Sequence, residues 1–128
     1  MKKWFALLLS VCLLAGCTPQ ADCEVTLYFA EAGGSEIREE TRAVHAEGSV
    51  LETAIRALLD GPRTAGLARV IPKDTQLLGV KMHGTVAEIN LSAPFDEGPD
   101  DMRLLARYTV IYTACEVRDV NRVQLLVE

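Results

Sequence analysis

The sequence predicts an α+β domain with two helices packed on one face of a mixed β-sheet, in the order β-β-α-β-β-α-β. Three observations support this prediction: five runs with a two-residue alternation, two segments with apolar residues at helical spacing, and turn residues between them. No segment repeats at a fixed period, so a solenoid is excluded.

The first two strands differ in the kind of residue that alternates. Residues 23–30 carry an apolar side chain at every second position, which predicts a half-buried strand. Residues 37–44 alternate charged side chains with others, which predicts a strand with a charged face at an exposed edge of the sheet. A solvated loop would give a similar pattern. The charged residues of this face are Arg38, Glu40 and Arg42.

The first helix is predicted from a cap, an apolar stripe and a stop signal. Ser49 and Glu52 have the spacing of a capping box, which places a helix over about residues 49–60. Its stripe comprises Leu51, Ile55 and Leu58. Gly61-Pro62 ends the helix, because Gly accepts a left-handed conformation and Pro cannot continue the hydrogen-bond ladder.

The middle of the chain is predicted to contain a loop and a β-hairpin. Residues 63–74 show no period and are expected to be mostly loop. Residues 75–82 and 85–91 alternate as strands do, and His83-Gly84 between them predicts a tight turn.

The second helix is predicted to open at Asp100-Asp101, since acidic side chains are favourable at the positive end of a helix. Its predicted buried face comprises Leu104, Tyr108, Ile111 and Cys115. Tyr108 and Tyr112 are interpreted as packing residues rather than a binding site. Residues 123–127 alternate again and predict the last strand.

The N-terminus has the pattern of a bacterial lipoprotein signal. Two lysines precede an apolar run over residues 4–14, and residues 14–17 read Leu-Ala-Gly-Cys. The run is only about half of the roughly 20 residues that a membrane span requires. We therefore expect residues 1–16 to be a signal peptide and Cys17 to be acylated. The lipid would anchor the protein on the extracytoplasmic face of the cell membrane.

Length and charge limit what the mature protein can be. Cleavage before Cys17 leaves 112 residues, enough for a short tether over residues 17–22 and one domain over residues 23–128. Loss of the two signal lysines leaves 11 basic and 18 acidic side chains, a formal charge of −7 with both histidines neutral. Such a surface repels nucleic acid, so no nucleic-acid partner is expected.

The sequence shows no pattern of catalytic or metal-binding residues. His45 and His83 have no Cys, His or acidic partner at metal-ligand spacing, and no serine lies in a nucleophile elbow. One cluster of acidic residues lacks the spacing of an EF-hand, and we interpret its side chains as charges at the start of a helix and in a solvated loop. The cluster comprises Asp96, Glu97, Asp100 and Asp101. We therefore predict no enzyme, no cofactor and no metal.

Cys23 and Cys115 are the two thiols that remain once Cys17 is acylated, in a compartment that permits disulfides. If residues 37–44 form a strand antiparallel to the first, both thiols lie at the same end of the sheet and can pair. If those residues are a loop, the thiols lie at opposite ends. The interpretation that we favour is that Cys115 is a small buried hydrophobic residue.

Five segments share the order of a known domain. They are residues 52–62 (ETAIRALLDGP), 70–73 (VIPK), 86–92 (VAEINLS), 108–113 (YTVIYT) and 122–127 (RVQLLV). In this order they resemble the GerMN domain of sporulation and spore-germination proteins, from about Val25 to Glu128. Asp74 stands where that family often has Gly, and Arg118-Asp119 where Pro-Gly is common.

The resemblance implies a non-enzymatic, membrane-anchored envelope lipoprotein that serves as an interaction or assembly module in sporulation or spore germination. Its helix or edge-strand surface would dock another envelope protein or a second copy, and the charged edge from Arg38 to Arg42 is the sequence feature that points to this role. The alternative is an envelope enzyme or ligand-binding lipoprotein acting on cell-wall material. A deep pocket with converging polar groups would favour that alternative.

Overall fold

The computed structural model describes residues 22–46 and 48–128. The strands are β1 (Asp22–Glu31), β2 (Ile37–His45), β3 (Leu67–Ala68), β4 (Leu77–His83), β5 (Val86–Leu91) and β6 (Arg122–Val127), the helices are α1 (Val50–Leu59) and α2 (Asp100–Cys115), and a 3₁₀ turn spans Ala93–Asp96. The predicted signal peptide, Cys17 and the tether before residue 22 lie outside the described residues.

The α+β class and the order of the predicted elements are confirmed. The strands form two three-stranded sheets, β2-β1-β3 and β4-β5-β6, where one mixed sheet was expected. Periodicity identifies strands but does not say which of them pair, so the division was not visible in the sequence. The first sheet is antiparallel, and in the second β5 pairs with β6 in parallel. This parallel pair needs a crossover connection, which contains α2.

Two local predictions in the middle of the chain differ slightly from the structure. The loop expected over residues 63–74 contains the two-residue strand β3, which pairs with the end of β1. The hairpin turn lies at Gly84-Thr85, one residue later than expected, and Gly84 has a φ of 63°. A positive φ explains the Gly at this turn.

One hydrophobic cluster joins both sheets and both helices. Leu27 of β1, Ile55 of α1, Ile89 of β5 and Val110 of α2 are completely buried. Leu58, which belongs to the predicted apolar stripe of the first helix, is 2% exposed and so lies in the core as expected.

The start and the end of α1 confirm their sequence signals. The Ser49 hydroxyl oxygen accepts a hydrogen bond from the backbone N–H of Glu52 at 3.1 Å, as an N-cap does. Gly61 has a φ of 90°, and Pro62 follows it.

The buried face predicted for α2 is wrong. Leu104 and Tyr108 are 53% and 44% exposed, and Ile111 is half-buried. The residues that α2 buries are small or β-branched: Ala106, Thr109, Val110, Thr113 and Ala114. The backbone N–H of Tyr28 donates to Thr113 Oγ1 at 3.0 Å, so the helix lies directly against the backbone of β1. Only small side chains fit at so close an approach.

Residues 37–44 form a strand at the edge of the first sheet, as predicted, and not a loop. The expected orientation of its charges is wrong, because Glu40 and Arg42 are buried, at 6% and 5% exposure. Arg38 is exposed and pairs with Glu31 at 3.1 Å. The inward charges are stabilised by partners from a later part of the chain, described below.

Candidate interaction surface

Two exposed tyrosines of α2 and a half-buried tyrosine of β1 form a continuous surface. Tyr108 and Tyr112 lie one turn apart on α2, with ring centroids 6.2 Å apart, and Tyr112 lies 5.6 Å from Tyr28 of β1. Leu104 extends the row by one more turn. We call Leu104, Tyr108, Tyr112 and Tyr28 the aromatic patch. It contains all three tyrosines of the chain.

The local sequence explains why these side chains face outwards. In β1, Val25, Leu27 and Phe29 point into the core, so Tyr28 lies on the opposite face of the strand. In α2, the close contact with β1 selects the face with small residues, and the face with large residues remains in solvent. Tyr112 is 49% exposed. The interpretation of Tyr108 and Tyr112 as packing residues is therefore corrected.

The hydroxyl group of Tyr28 donates a hydrogen bond to the carboxylate of Glu116, just after α2. This bond, together with partial burial and the charges of Glu116 and Glu39, raises the pKa of Tyr28 to about 12. Tyr28 therefore stays a neutral donor in the physiological pH range. Its bond links β1 to the end of α2 and fixes the ring beside Tyr112.

A cavity of about 430 Å³ opens beside these rings. Its lining residues are Tyr28, Ser35, Glu36, Ile37 and Tyr112. They include two aromatic rings and a carboxylate but no nucleophile paired with a base. The cavity is suited to holding a side chain of another molecule.

The inner face of β2 serves a structural role. The Arg42 guanidinium pairs with Glu40 and donates to the carbonyl oxygens of Ala57 at 3.1 Å and Gly61 at 2.8 Å. It also lies 5.9 Å from the ring centroid of Phe29. Arg42 therefore connects the edge strand to the end of α1.

Glu40 completes this network from the other side. Its Oε1 accepts from the backbone N–H groups of Arg63 at 2.8 Å and Thr64 at 2.7 Å. Burial disfavours the charged carboxylate, but these bonds and Arg42 outweigh it and lower the pKa of Glu40 to about 2. This network was not predicted from the sequence, although the alternation of Glu40 and Arg42 was its visible signal.

Arg69 holds the same helix end from a second direction. It donates to the carbonyl oxygens of Leu59 and Asp60, each at 2.7 Å. The φ of 90° at Gly61 favours Gly there, and a Cβ at this position would also displace the Arg69 guanidinium, whose Nη2 would lie 2.5 Å away.

Two of the four acidic residues before and within α2 pair with arginines. Arg107 contacts Asp96 at 2.5 Å, Arg103 pairs with Asp100, and Asp101 accepts from the backbone N–H of Met102 at 2.9 Å. No group of three or more His, Cys, Asp or Glu side chains that could hold a metal occurs within residues 22–46 and 48–128.

The two histidines lie apart from each other and from the aromatic patch. His45 contacts Asp22 at 3.4 Å, and the two residues are opposite each other in the β1–β2 register. His83 contacts Glu88 at 2.6 Å across the β4–β5 hairpin. His45 also lines a cavity of about 280 Å³ whose charged lining residues are Arg56, Asp60 and Arg63.

Cys23 and Cys115 are free thiols in the structure. Cys23 is half-buried, whereas Cys115, the last residue of α2, is exposed and not the buried hydrophobic residue that we favoured. Partial burial and the charge of Glu116 raise the pKa of Cys115. Its thiol is therefore a weaker nucleophile at neutral pH than an ordinary exposed cysteine.

These features define a small α+β module whose prominent exposed feature is an aromatic patch on one helix and one strand. In the part of the chain that the structure describes, no helix is both long enough and apolar enough to cross a bilayer. The chain belongs to the Germane family of sporulation and spore germination, whose family model matches residues 26–128.

Solved structures agree with this assignment. A candidate lipoprotein from Clostridium perfringens is 27% identical, with a TM-score of 0.57, and the match covers 84% of this chain and 76% of that one. The first GerMN domain of the sporulation protein GerM from Bacillus subtilis has a TM-score of 0.73 at 20% identity, with 83% of each chain covered. The tandem GerMN domains of GerM give 0.66 at 20% identity, with 84% of this chain and 39% of that one covered. No curated protein matches the chain.

Proposed function

We propose that this protein is a non-enzymatic, lipid-anchored envelope lipoprotein that acts as an interaction module in sporulation or spore germination. Membership of the Germane family supports the process, and the likeness to a candidate lipoprotein supports the anchor. The observation that carries the interaction role is the exposed aromatic patch.

An exposed patch of this kind is typical of a docking surface. Tyr108 and Tyr112 are 44% and 49% exposed, and Leu104 beside them is 53% exposed. Monomeric proteins without partners rarely expose contiguous apolar and aromatic side chains, so such a patch indicates an interaction site. Tyrosine is enriched among the residues that dominate binding energy, because a large rigid ring loses little conformational entropy.

The proposed anchor would hold this surface near the membrane. Cys17 is followed by a tether of about five residues, which spans less than ~20 Å when fully extended. Confinement to the membrane plane raises the effective concentration of a partner anchored in the same membrane, so a weak contact can suffice.

Photo-crosslinking in intact cells tests the interaction role. A benzophenone amino acid at Tyr108 should capture an envelope protein or a second copy, whereas the same group at Lys81, exposed on β4, should not. Absence of an adduct at Tyr108 in both sporulating and vegetative cells would contradict the proposal. Turnover of a wall substrate by the purified protein would instead support the enzymatic alternative.

The anchor has its own test. Cys17→Ser removes the thiol that would be acylated, so we expect loss of palmitate label and release of the protein from the membrane fraction. A variant that still fractionates with membranes and keeps its label would show that Cys17 is not the lipidated residue.

A further inference from the structure

Three carboxylates border the aromatic patch. Glu39 lies directly opposite Tyr28 in the β1–β2 register, Glu36 lines the cavity beside Tyr28 and Tyr112, and Glu116 accepts from the Tyr28 hydroxyl group. All three glutamates are exposed. Within the described part of the chain, the carboxylates of Glu36 and Glu39 have no hydrogen-bond or ion-pair partner.

The basic side chains near the aromatic patch do not neutralise these carboxylates. Arg38 pairs with Glu31 at 3.1 Å, and Arg107 pairs with Asp96 at 2.5 Å and lies 5.8 Å from the ring centroid of Phe95. Arg118 is exposed two residues after Glu116 but forms no ion pair in the part of the chain described. The border of the patch therefore carries three carboxylates against one unpaired arginine, so the electron-rich rings lie beside net negative charge.

We propose that the aromatic patch binds a basic segment of a partner protein, with an Arg or Lys side chain seated in the cavity beside Tyr28 and Tyr112. A cation over a tyrosine ring is attracted by the negative face of the ring, and Glu36 and Glu39 stand where they can pair with it. The inference rests on the proposed interaction role and adds the chemistry of the partner.

Charge disfavours the other occupants. A second copy would bring the same acidic border to a symmetric contact, and like charges brought together across an interface oppose binding. A purely apolar segment would bury Glu36 and Glu39 without partners, which costs free energy. A basic segment covers the rings and compensates both carboxylates.

A binding measurement on the full chain in detergent micelles tests the chemistry. The probe is the peptide acetyl-Gly-Arg-Leu-Arg-Gly-amide, compared with the same peptide carrying uncharged citrulline for arginine, and the readout is the NMR shift of the tyrosine ring protons. We expect the arginine peptide to bind more tightly than the citrulline peptide, and we expect its affinity to fall as salt is added. Equal affinity for the two peptides would overturn the inference.

Substitutions then locate the site. Tyr112→Leu keeps apolar area but removes the ring, so affinity should fall about two- to five-fold. The double variant Glu36→Gln/Glu39→Gln should lower affinity about two- to ten-fold and reduce the salt dependence. The control Asp74→Asn/Glu97→Gln changes net charge equally at two exposed positions outside the patch and should bind as the wild type does. Equal losses in both double variants would refute a local site.

Crosslinking in cells separates this inference from the proposed function. With benzophenone at Tyr108, we expect the captured segment to contain Arg or Lys and Glu36→Gln/Glu39→Gln to reduce the yield of adduct. Capture of a second copy, or of a segment without basic residues at unchanged yield, would overturn the inference and leave the interaction role intact. Absence of any adduct would overturn both.

Discussion

Replacing Glu40 by Gln removes the negative charge from the buried pair with Arg42 but keeps a side-chain oxygen. That oxygen can still accept from the backbone N–H groups of Arg63 and Thr64. The Arg42 guanidinium, 4% exposed, would then lie buried without a counter-charge. The variant therefore tests the charge of the pair more than the hydrogen bonds.

Two routes give the size of the effect. Lowering the pKa of Glu40 from 4.5 to about 2 corresponds to roughly 3 kcal/mol of folding free energy at neutral pH. Removing one partner of a buried ion pair typically costs about 3–5 kcal/mol. Because the folded pKa is the lower one, this stabilisation is fully present above about pH 4.5 and is lost as the pH falls towards 2.

Urea unfolding at several pH values measures this contribution. Glu40→Gln should lower the free energy of unfolding by about 3 kcal/mol at pH 7. The free energy of unfolding of this variant should also fall less steeply with acid, because the protonation of Glu40 no longer contributes. Glu39→Gln is the matched control, since Glu39 is the next residue on the same strand, is exposed and should change stability by less than about 0.5 kcal/mol. Equal urea midpoints for the two variants would refute the role assigned to the network.

Other predictions concern packing, ionisation and thiols. Leu58→Ala should lower the free energy of unfolding by about 2–5 kcal/mol, whereas Ile111→Ala, on the half-buried side of α2, should lower it by about 1 kcal/mol. A larger loss for Ile111→Ala than for Leu58→Ala in urea unfolding would show that the buried faces are misassigned. Ultraviolet titration should find one tyrosine with a pKa of about 12, and Glu116→Gln should bring that pKa of Tyr28 down; an unchanged titration curve would contradict their bond. Both cysteines of the described region should react with an alkylating agent without prior reduction, and labelling only after reduction would demonstrate a disulfide.

Elements with local signals could be predicted from the sequence. The alternation of Val25, Leu27 and Phe29 and the cap at Ser49 involve neighbours within a few residues, and both elements formed as expected. The buried face of α2 depends instead on how closely the helix approaches β1, a long-range contact that helical spacing does not contain. Large apolar residues were therefore assigned to the core although small ones fill it.

The aromatic patch was hidden for the same reason. Tyr108 and Tyr112 have helical spacing whether they face the core or solvent, and Tyr28 meets them only through the fold. The buried network of β2 was partly visible, because Glu40 and Arg42 alternate on one side of the strand. Their backbone partners lie 15 to 24 residues further along the chain, so the sequence could not show that this side faces inwards.

The C-terminal end of α1 is held by a side chain of the edge strand β2, so we expect the two elements to unfold locally together. The last carbonyl groups of a helix usually lack intrahelical partners, but here Ala57 is held by Arg42 of β2 and Leu59 by Arg69. This end cannot fray unless those arginines release it, and the backbone N–H groups of Arg63 and Thr64 are held by Glu40 of the same strand. In native-state hydrogen exchange, these two loop amides should therefore open cooperatively with β2 and not at the fast rates of a surface loop.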